Sequence, residues 1–223
     1  MSVREANKNM RRRAIMDAAR ALILEDKSRD FSMPALAERA GVSLATSYNL
    51  FGAKSDILLE IVREDIFERQ AEIDALQAKT LASWIGGLAT VLARVFYSKR
   101  HFYRRMIVTL TAAENPNAQR ASLALFYRIF EQPIANLMKK GWLIDTVPAA
   151  VLAQHLAHCV SGSLQLRLME RGAEETLRDD IDLAILLLLG GLSHPKEAAE
   201  IRARVAELAA TAPQLLTANA SSE

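Results

Sequence analysis

The strongest constraint on the fold is a pair of helix-start signals that lie close together in "SMPALAERAGVSLATSYNLF". Ser32 and Ser43 each precede a short helix-forming run, and serine is a preferred N-cap residue. Pro34 fits the first turn of the first helix, because its missing N–H would have no partner there. Gly41 can adopt the positive φ that a tight helix exit requires. The segment therefore predicts a helix, a short turn and a second helix, which is the helix-turn-helix pattern.

The second of these helices, residues 44–50, has two chemically different faces. Helical spacing puts Leu44, Ala45, Tyr48 and Asn49 on one side, with Thr46 at its edge, and Ser47, Leu50 and Phe51 on the other. The second set holds the bulky apolar residues and is expected to pack inward. The unpaired N–H groups at the helix start favour a phosphate, and Lys54 follows at the start of the next helix. Ala and Thr methyls can contact thymine methyls, so the outward face predicts DNA binding.

Charge is distributed unevenly along the chain. Net charge is only +2, but the first twenty residues carry six basic side chains against Glu5 and Asp17: Arg4, Lys8, Arg11, Arg12, Arg13 and Arg20. This asymmetry predicts a basic arm that reaches the adjacent minor groove or flanking phosphates. On charge alone, a solvated and disordered tail is an equally good interpretation.

Composition limits the other possibilities. Few Gly and Pro among 223 residues favour an all-α protein. A single Cys159 gives no internal disulfide and suits a reducing cytosol, and no signal peptide is apparent. The longest apolar run, residues 184–192, is shorter than the ~20 residues of a membrane span. No phosphate-binding loop, nucleophile elbow or Cys-x-x-Cys is present, so we expect a cytoplasmic protein that is not an enzyme and needs no cofactor.

Residues 55–223 are predicted to form a larger helical domain after a first domain of residues 1–54. Pro133 is expected to kink or divide a helix, and Gly141 to end one. The middle helices carry large apolar side chains that suit either a pocket for a hydrophobic effector or ordinary core packing: Trp84, Phe96, Phe102, Tyr103, Met106, Phe126, Tyr127 and Phe130. For any single aromatic residue, core packing is the better interpretation.

Residues 11–61 resemble the DNA-binding domain of the tetracycline-repressor (TetR) family of bacterial transcription regulators. The resemblance rests on "AIMDAARALI", "FSMPALAERAGVS" and "ATSYNLFGAKSDIL". It implies an operator-binding homodimer that a ligand releases from DNA, with an N-terminal helix-turn-helix domain and a C-terminal domain for ligand binding and dimerisation. It also implies phosphate contacts from Thr46, Tyr48 and Lys54 and base contacts from Leu44 and Ala45. This chain departs from the family pattern at Ser47, where leucine is usual.

The resemblance further implies a four-helix dimer interface built from the last two main helices of each subunit. Its candidate residues here are His155, His158, Gly162, Leu166, Leu183, Leu186 and Leu187. His155, His158 and Cys159 could in principle bind a metal, but a third or fourth ligand and a supporting shell are missing from the pattern, so interface or packing roles are favoured. We therefore expect no metal site.

The sequence thus favours a homodimeric, ligand-responsive regulator of a pseudo-palindromic operator. Its predicted DNA contacts are Arg11, Arg12, Ser32, Ser43, Leu44, Ala45, Thr46, Tyr48, Asn49 and Lys54. The main alternative is a helical adaptor that binds protein instead of specific DNA. A steep fall of DNA binding with added salt would distinguish the two, because phosphate contacts release counterions.

Overall fold

The computed structural model describes residues 2–25, 31–111, 116–169 and 174–211. Within these ranges every regular element is a helix, and the one β-bridge joins Leu143 to Ser193. The prediction of an all-α protein is confirmed. The helices are α1 (Val3–Glu25), α2 (Met33–Arg39), α3 (Leu44–Phe51), α4 (Lys54–Asp74), α5 (Leu81–Ser98), α6 (Arg100–Thr111), α7 (Pro116–Lys139), α8 (Ala149–Met169), α9 (Glu174–Gly190) and α10 (Ala198–Thr211).

Two compact units are formed by discontinuous parts of the chain. The first unit comprises Met1–Gln70 and Ser98–Leu125, and the second comprises Ala71–Tyr97 and Phe126–Glu223. The predicted boundary after residue 54 stays a prediction.

The first unit has its core between the apolar faces of α1, α2 and α4. α1 is amphipathic, and Ile15 and Ala19 on its apolar face are fully buried. α2 contributes Leu36, and α4 contributes Ile57 and Ile61, all with no exposed surface. Each of these leucine and isoleucine side chains stabilises the fold by roughly 1.5–3 kcal/mol on burial.

The second unit is built around α5, which is apolar on most of its circumference. Such a helix needs cover on all sides, and Leu81, Ile85 and Leu88 are fully buried. By length and composition α5 is the one described helix that could cross a membrane, yet 61% of that window is buried inside the protein, as in a core helix. α10 docks on this unit through Ile201 and Leu208.

Helix ends in the second unit follow the predicted signals with one exception. Gly141 ends α7 at φ 67°, and the N–H groups of Gly141 and Trp142 donate to the carbonyls of Met138 and Leu137. Pro133 does not divide α7, which continues through it, and the predicted kink stays a prediction. Asp182 of α9 is 1% exposed and accepts hydrogen bonds from Arg204 of α10 at 3.0 and 3.2 Å.

Candidate functional site

The turn between α2 and α3 is fixed by backbone hydrogen bonds. Gly41 has φ 65°, and its N–H donates to the carbonyl of Glu38 at 3.1 Å. The N–H of Val42 donates to the carbonyl of Ala37 at 3.0 Å. These two bonds form a Schellman motif, which satisfies the last carbonyls of α2. The predicted glycine exit is confirmed, and it sets the direction in which α3 leaves the turn.

Both predicted serine caps are present. The Oγ of Ser32 accepts the N–H of Ala35 at 3.3 Å, and the Oγ of Ser43 accepts the N–H of Thr46 at 3.1 Å. The hydroxyls of Ser43 and Thr46 are also 2.8 Å apart. Because a hydroxyl that accepts a hydrogen bond keeps its own proton to donate, each cap can still donate to an oxygen of a ligand.

The two predicted faces of α3 are observed. Leu44 and Tyr48 are 41% and 48% exposed, and Ala45 and Asn49 are exposed beside them. On the opposite face Ser47 is fully buried, and its Oγ has no hydrogen-bond partner among the described residues. Serine here leaves a desolvated hydroxyl in the small core where an apolar side chain would pack, as the departure at this position predicted.

Lys54 lies at the first position of α4, after a tight turn. Gly52 has φ 89°, and a Cβ there would lie 3.1 Å from Oδ2 of Asp56. That same oxygen accepts the N–H of Ala53 at 2.8 Å and so caps the start of α4. The Nζ of Lys54 lies 4.4 Å from the ring centre of Phe31. The ring therefore makes a cation–π contact with the lysine, a role for Phe31 that the sequence did not predict.

Arg12, a predicted DNA contact, is engaged within the domain. Its guanidinium donates to the carbonyl of Leu50 at 2.6 Å and to Glu60 at 3.2 Å, and it lies 4.2 Å from the ring centre of Phe51. These contacts join α1 to the last turn of α3 and to α4. Arg11 is exposed on the neighbouring surface. Arg12 thus positions α3, whereas Arg11 is open to an external partner.

A buried carboxylate connects three helices of the first unit. Asp65 of α4 is 3% exposed and accepts hydrogen bonds from the Tyr103 hydroxyl at 2.5 Å, the Lys99 ammonium at 2.8 Å and the Arg20 guanidinium at 3.4 Å. Burial, followed by the charge of Asp65, raises the pKa of Tyr103, so the phenol stays a proton donor. The hydroxyl of this predicted pocket residue is therefore used inside the first unit.

The other predicted pocket residues are distributed over both units. Phe102 and Met106 are buried in the first unit with Tyr103. The second unit contains buried Trp84, Phe96, Phe126 and Phe130 together with half-buried Tyr127. The rings of Phe96 and Phe126 stack with centres 5.9 Å apart. These placements suit core packing, and the predicted effector role stays a prediction.

The predicted interface residues of α8 and α9 differ in how far their side chains are exposed. His155, His158 and Gly162 are exposed, as are Leu166 at 41% and Leu187 at 62%, and Leu183 is half-buried. Leu186 is fully buried inside its own subunit, so it adds nothing to this surface. The His155 and His158 ring centres are 6.1 Å apart. Across the described ranges, no group of three or more His, Cys, Asp or Glu is placed to hold a metal ion.

The exposed face of α3, the two capping serines and Lys54 lie on a small helical core, and together they form a helix-turn-helix, a motif that DNA-binding proteins use. Residues 15–61 match the family model of bacterial regulatory proteins, tetR family. The chain therefore carries a DNA-binding domain of the type found in these transcriptional regulators.

Comparison with known proteins finds transcriptional regulators that are similar in sequence or in fold. Over 158 residues the chain is 28% identical to the HTH-type transcriptional regulator BetI of Agrobacterium fabrum (strain C58 / ATCC 33970). The aligned region covers 69% of this chain and 74% of BetI. The fold is similar to that of Thermus thermophilus FadR, a TetR-family transcriptional repressor solved with lauroyl-CoA. The TM-score is 0.70 at 20% identity, with 81% of this chain and 94% of FadR covered.

A second structural relative is RolR in complex with resorcinol. The TM-score is 0.66 at 14% identity, with 94% of this chain and 98% of RolR covered. At this level of identity the likeness concerns the fold, and that fold extends well beyond the N-terminal match.

Proposed function

We propose that the chain is a homodimeric repressor that binds a pseudo-palindromic operator through α3 and releases it when a small hydrophobic or aromatic molecule binds. The observation that carries the proposal is the outward face of α3, where Leu44, Ala45, Tyr48 and Asn49 are all exposed. A leucine and a tyrosine exposed together on one helix face suit contact with a partner surface. As a DNA-binding regulator, the protein would act in the cytoplasm.

Phosphate contacts are assigned to side chains around the two ends of α3. The hydroxyl of Ser32 and the phenol of Tyr48 each retain a proton to donate, and the bonded pair Ser43 and Thr46 retains one between them. Lys54 adds a positive charge at the start of α4. Contacts of this kind position the protein on the duplex without reading its sequence.

Base recognition is assigned to Leu44 and Ala45, with Asn49 further along the same face. The first two side chains can contact thymine methyl groups, and an asparagine amide can pair with adenine. Apolar contacts discriminate less than bidentate hydrogen bonds, so part of the sequence preference would come from DNA shape. In a dimer, two such helices would lie about 34–36 Å apart, one helical turn of the duplex.

The dimer interface is assigned to the exposed face shared by α8 and α9. Leu166 and Leu187 are exposed there, together with Val151 and Met169. Apolar side chains grouped on a surface mark interaction sites, and exposed Gly162 permits close approach of a partner helix. His155 and His158 would lie within this interface.

The effector site is assigned to the aromatic side chains of the second unit, around the stacked pair Phe96 and Phe126. Two structural relatives were solved with lauroyl-CoA and with resorcinol, which supports an apolar or aromatic ligand here. Release of DNA requires that the ligand bind the DNA-free state more tightly than the DNA-bound state. A ligand with equal affinity for both states would leave operator binding unchanged.

Fluorescence anisotropy on labelled DNA from beside the gene, with a scrambled duplex as control, tests the proposal. We expect tight binding that prefers the native segment and weakens steeply between low and moderate salt. Replacing Tyr48 by Phe, which keeps the ring and removes the hydroxyl, should weaken binding to both duplexes by a similar factor. Equal, weak and salt-insensitive binding of the unmodified protein would instead favour the protein-binding adaptor.

A further inference from the structure

α1 begins about three turns before the segment that matches the family. The Oγ of Ser2 accepts the N–H of Glu5 at 3.2 Å, and the Ser2 carbonyl accepts the N–H groups of Glu5 and Ala6 at 3.0 Å. Ser2 is therefore the N-cap of α1, and Ser2-x-x-Glu5 has the sequence of a capping box. The basic arm is thus a continuous part of α1.

One face of α1 changes its chemistry along the helix. Residues 4, 8, 11, 15, 18 and 22 follow the i, i+4, i+7 spacing of a single face. In the second half of α1 this face carries buried Ile15 and Ala18. In the first half it carries Arg4, Lys8 and Arg11, all of which are exposed. Among the described residues, these three cations make no hydrogen bond or ion pair. We call them the basic face.

The position of the basic face is set by Arg12, which lies beside Lys8 and Arg11 on α1. Because Arg12 contacts the Leu50 carbonyl and the Phe51 ring, α1 leaves the core next to the last turn of α3. Arg11, the last residue of the basic face, is next to Arg12 in the chain, so the basic face begins beside the last turn of α3. A cationic surface joined to a DNA-reading helix fits the phosphate backbone better than any neutral partner.

We propose that the basic face binds the phosphodiester backbone of the duplex that flanks each operator half-site. From Arg4 to Arg11 the helix rises about 10 Å, which matches about three base-pair steps along the duplex axis at 3.4 Å each. The inference rests on the proposed function, since it assumes that α3 places the domain on DNA. It adds a contact outside the half-site, made by residues that precede the matched segment.

The test compares an operator core with the same core extended by flanking base pairs, for the full-length protein and the variant R4Q/K8Q/R11Q. The matched control R128Q/K139Q/R202Q removes the same charge at exposed positions of the second unit. Glutamine is a good helix former, so helicity by circular dichroism should be unchanged. Affinity is measured at several salt concentrations on both duplexes.

We expect the flanking base pairs to raise the affinity of the unmodified protein and of the control. The affinity of R4Q/K8Q/R11Q should be the same on both duplexes. On the extended duplex, the slope of log affinity against log salt should fall by about 0.9 for each phosphate that the variant no longer neutralises. For every two such phosphates, the affinity ratio between 50 and 200 mM salt should shrink by about tenfold.

Several outcomes would overturn the proposal. One is an unchanged slope in R4Q/K8Q/R11Q, and another is the same reduction in the control. A third is binding to phosphatidylglycerol vesicles that the variant loses while its DNA binding is intact, which would assign the face to lipid. If the unmodified protein prefers its operator but R4Q/K8Q/R11Q shows the same gain in affinity from the flanks, this inference alone fails. If the unmodified protein shows no operator preference, the proposed function fails and this inference with it.

Discussion

The guanidinium of Arg12 donates a 2.6 Å hydrogen bond to the carbonyl oxygen of Leu50, in the last turn of α3. A helix terminus has carbonyls without intrahelical partners, and this arginine satisfies one of them from another helix. It also packs on Phe51 and pairs with Glu60. The orientation of α3 thus depends on α1 as well as on its own caps.

Arg12→Ala should destabilise the protein by about 1–2 kcal/mol, because it removes a charged hydrogen bond and a cation–π interaction at a partly exposed site. DNA affinity should fall with little change in its salt slope. Urea denaturation and anisotropy measure the two effects. Arg13→Ala, at the exposed neighbouring position, is the control for stability. A large change in slope with unchanged stability would show that Arg12 contacts phosphate instead.

Ser47→Ala should keep or raise stability, by up to about 1 kcal/mol, because the buried hydroxyl has no partner among the described residues. Ser43→Ala is the matched serine change, and it should cost about 1 kcal/mol by removing an N-cap. Thermal and urea denaturation of both variants provide the comparison. A decrease in stability in Ser47→Ala as large as in Ser43→Ala would contradict the assignment of an unsatisfied hydroxyl.

Asp182 predicts a specific pH dependence of stability. Burial raises its pKa, and the hydrogen bond and charge of Arg204 only partly oppose that shift. A carboxyl whose pKa is higher in the folded state stabilises the fold below its unfolded pKa of about 3.9, and that contribution is lost as pH rises through the folded value. The free energy of unfolding of the unmodified protein minus that of Asp182→Asn should therefore decrease over this window.

Urea titrations at intervals from pH 4 to pH 7 would show this decrease. Glu207→Gln removes an exposed carboxylate that also pairs with Arg204. It controls for removal of a charge partner of the arginine while the buried acid is kept. A difference that is flat or increases with pH would mean that Arg204 determines the protonation of Asp182.

Leu187→Glu should prevent dimerisation, since it introduces a charge into the proposed apolar interface of α8 and α9. Leu24→Glu is a matched change, because Leu24 is 57% exposed and Leu187 is 62% exposed. Sedimentation at micromolar concentration should give a monomer for the first variant and leave the second like the unmodified protein. Operator affinity should fall for Leu187→Glu. If both variants sedimented as dimers, the interface would have to lie on another surface.

Local signals predicted the helix-turn-helix well. The caps at Ser32 and Ser43 and the exit at Gly41 depend on residues only a few positions apart, so the sequence shows both partners of each interaction. The start of α1 could have been found in the same way from Ser2-x-x-Glu5. Without that signal, the spacing of apolar residues indicates the helix only from about residue 12.

Long-range contacts were harder to predict. The contacts of Asp65 with Tyr103 and of Arg12 with Leu50 join residues far apart in sequence. Helical periodicity could have indicated that Arg12 faces the core, because residue 12 shares a face with residues 16, 19 and 23, which are all buried. Periodicity says little about the second half of α9, because its consecutive leucines make every face there apolar. Leu186 and Leu187 therefore looked equivalent in sequence, although only Leu187 is exposed.

Because α1 is continuous, the length of its N-terminal basic segment determines where the basic face points. Each residue added to a helix turns everything before it by about 100°. One residue inserted between Arg11 and Ile15 would swing Arg4, Lys8 and Arg11 around the axis while the core stayed in place. An insertion of four residues would restore their phase to within about 40° and move them outward by about 6 Å. The helix therefore tolerates length changes only in whole turns, unlike a flexible tail.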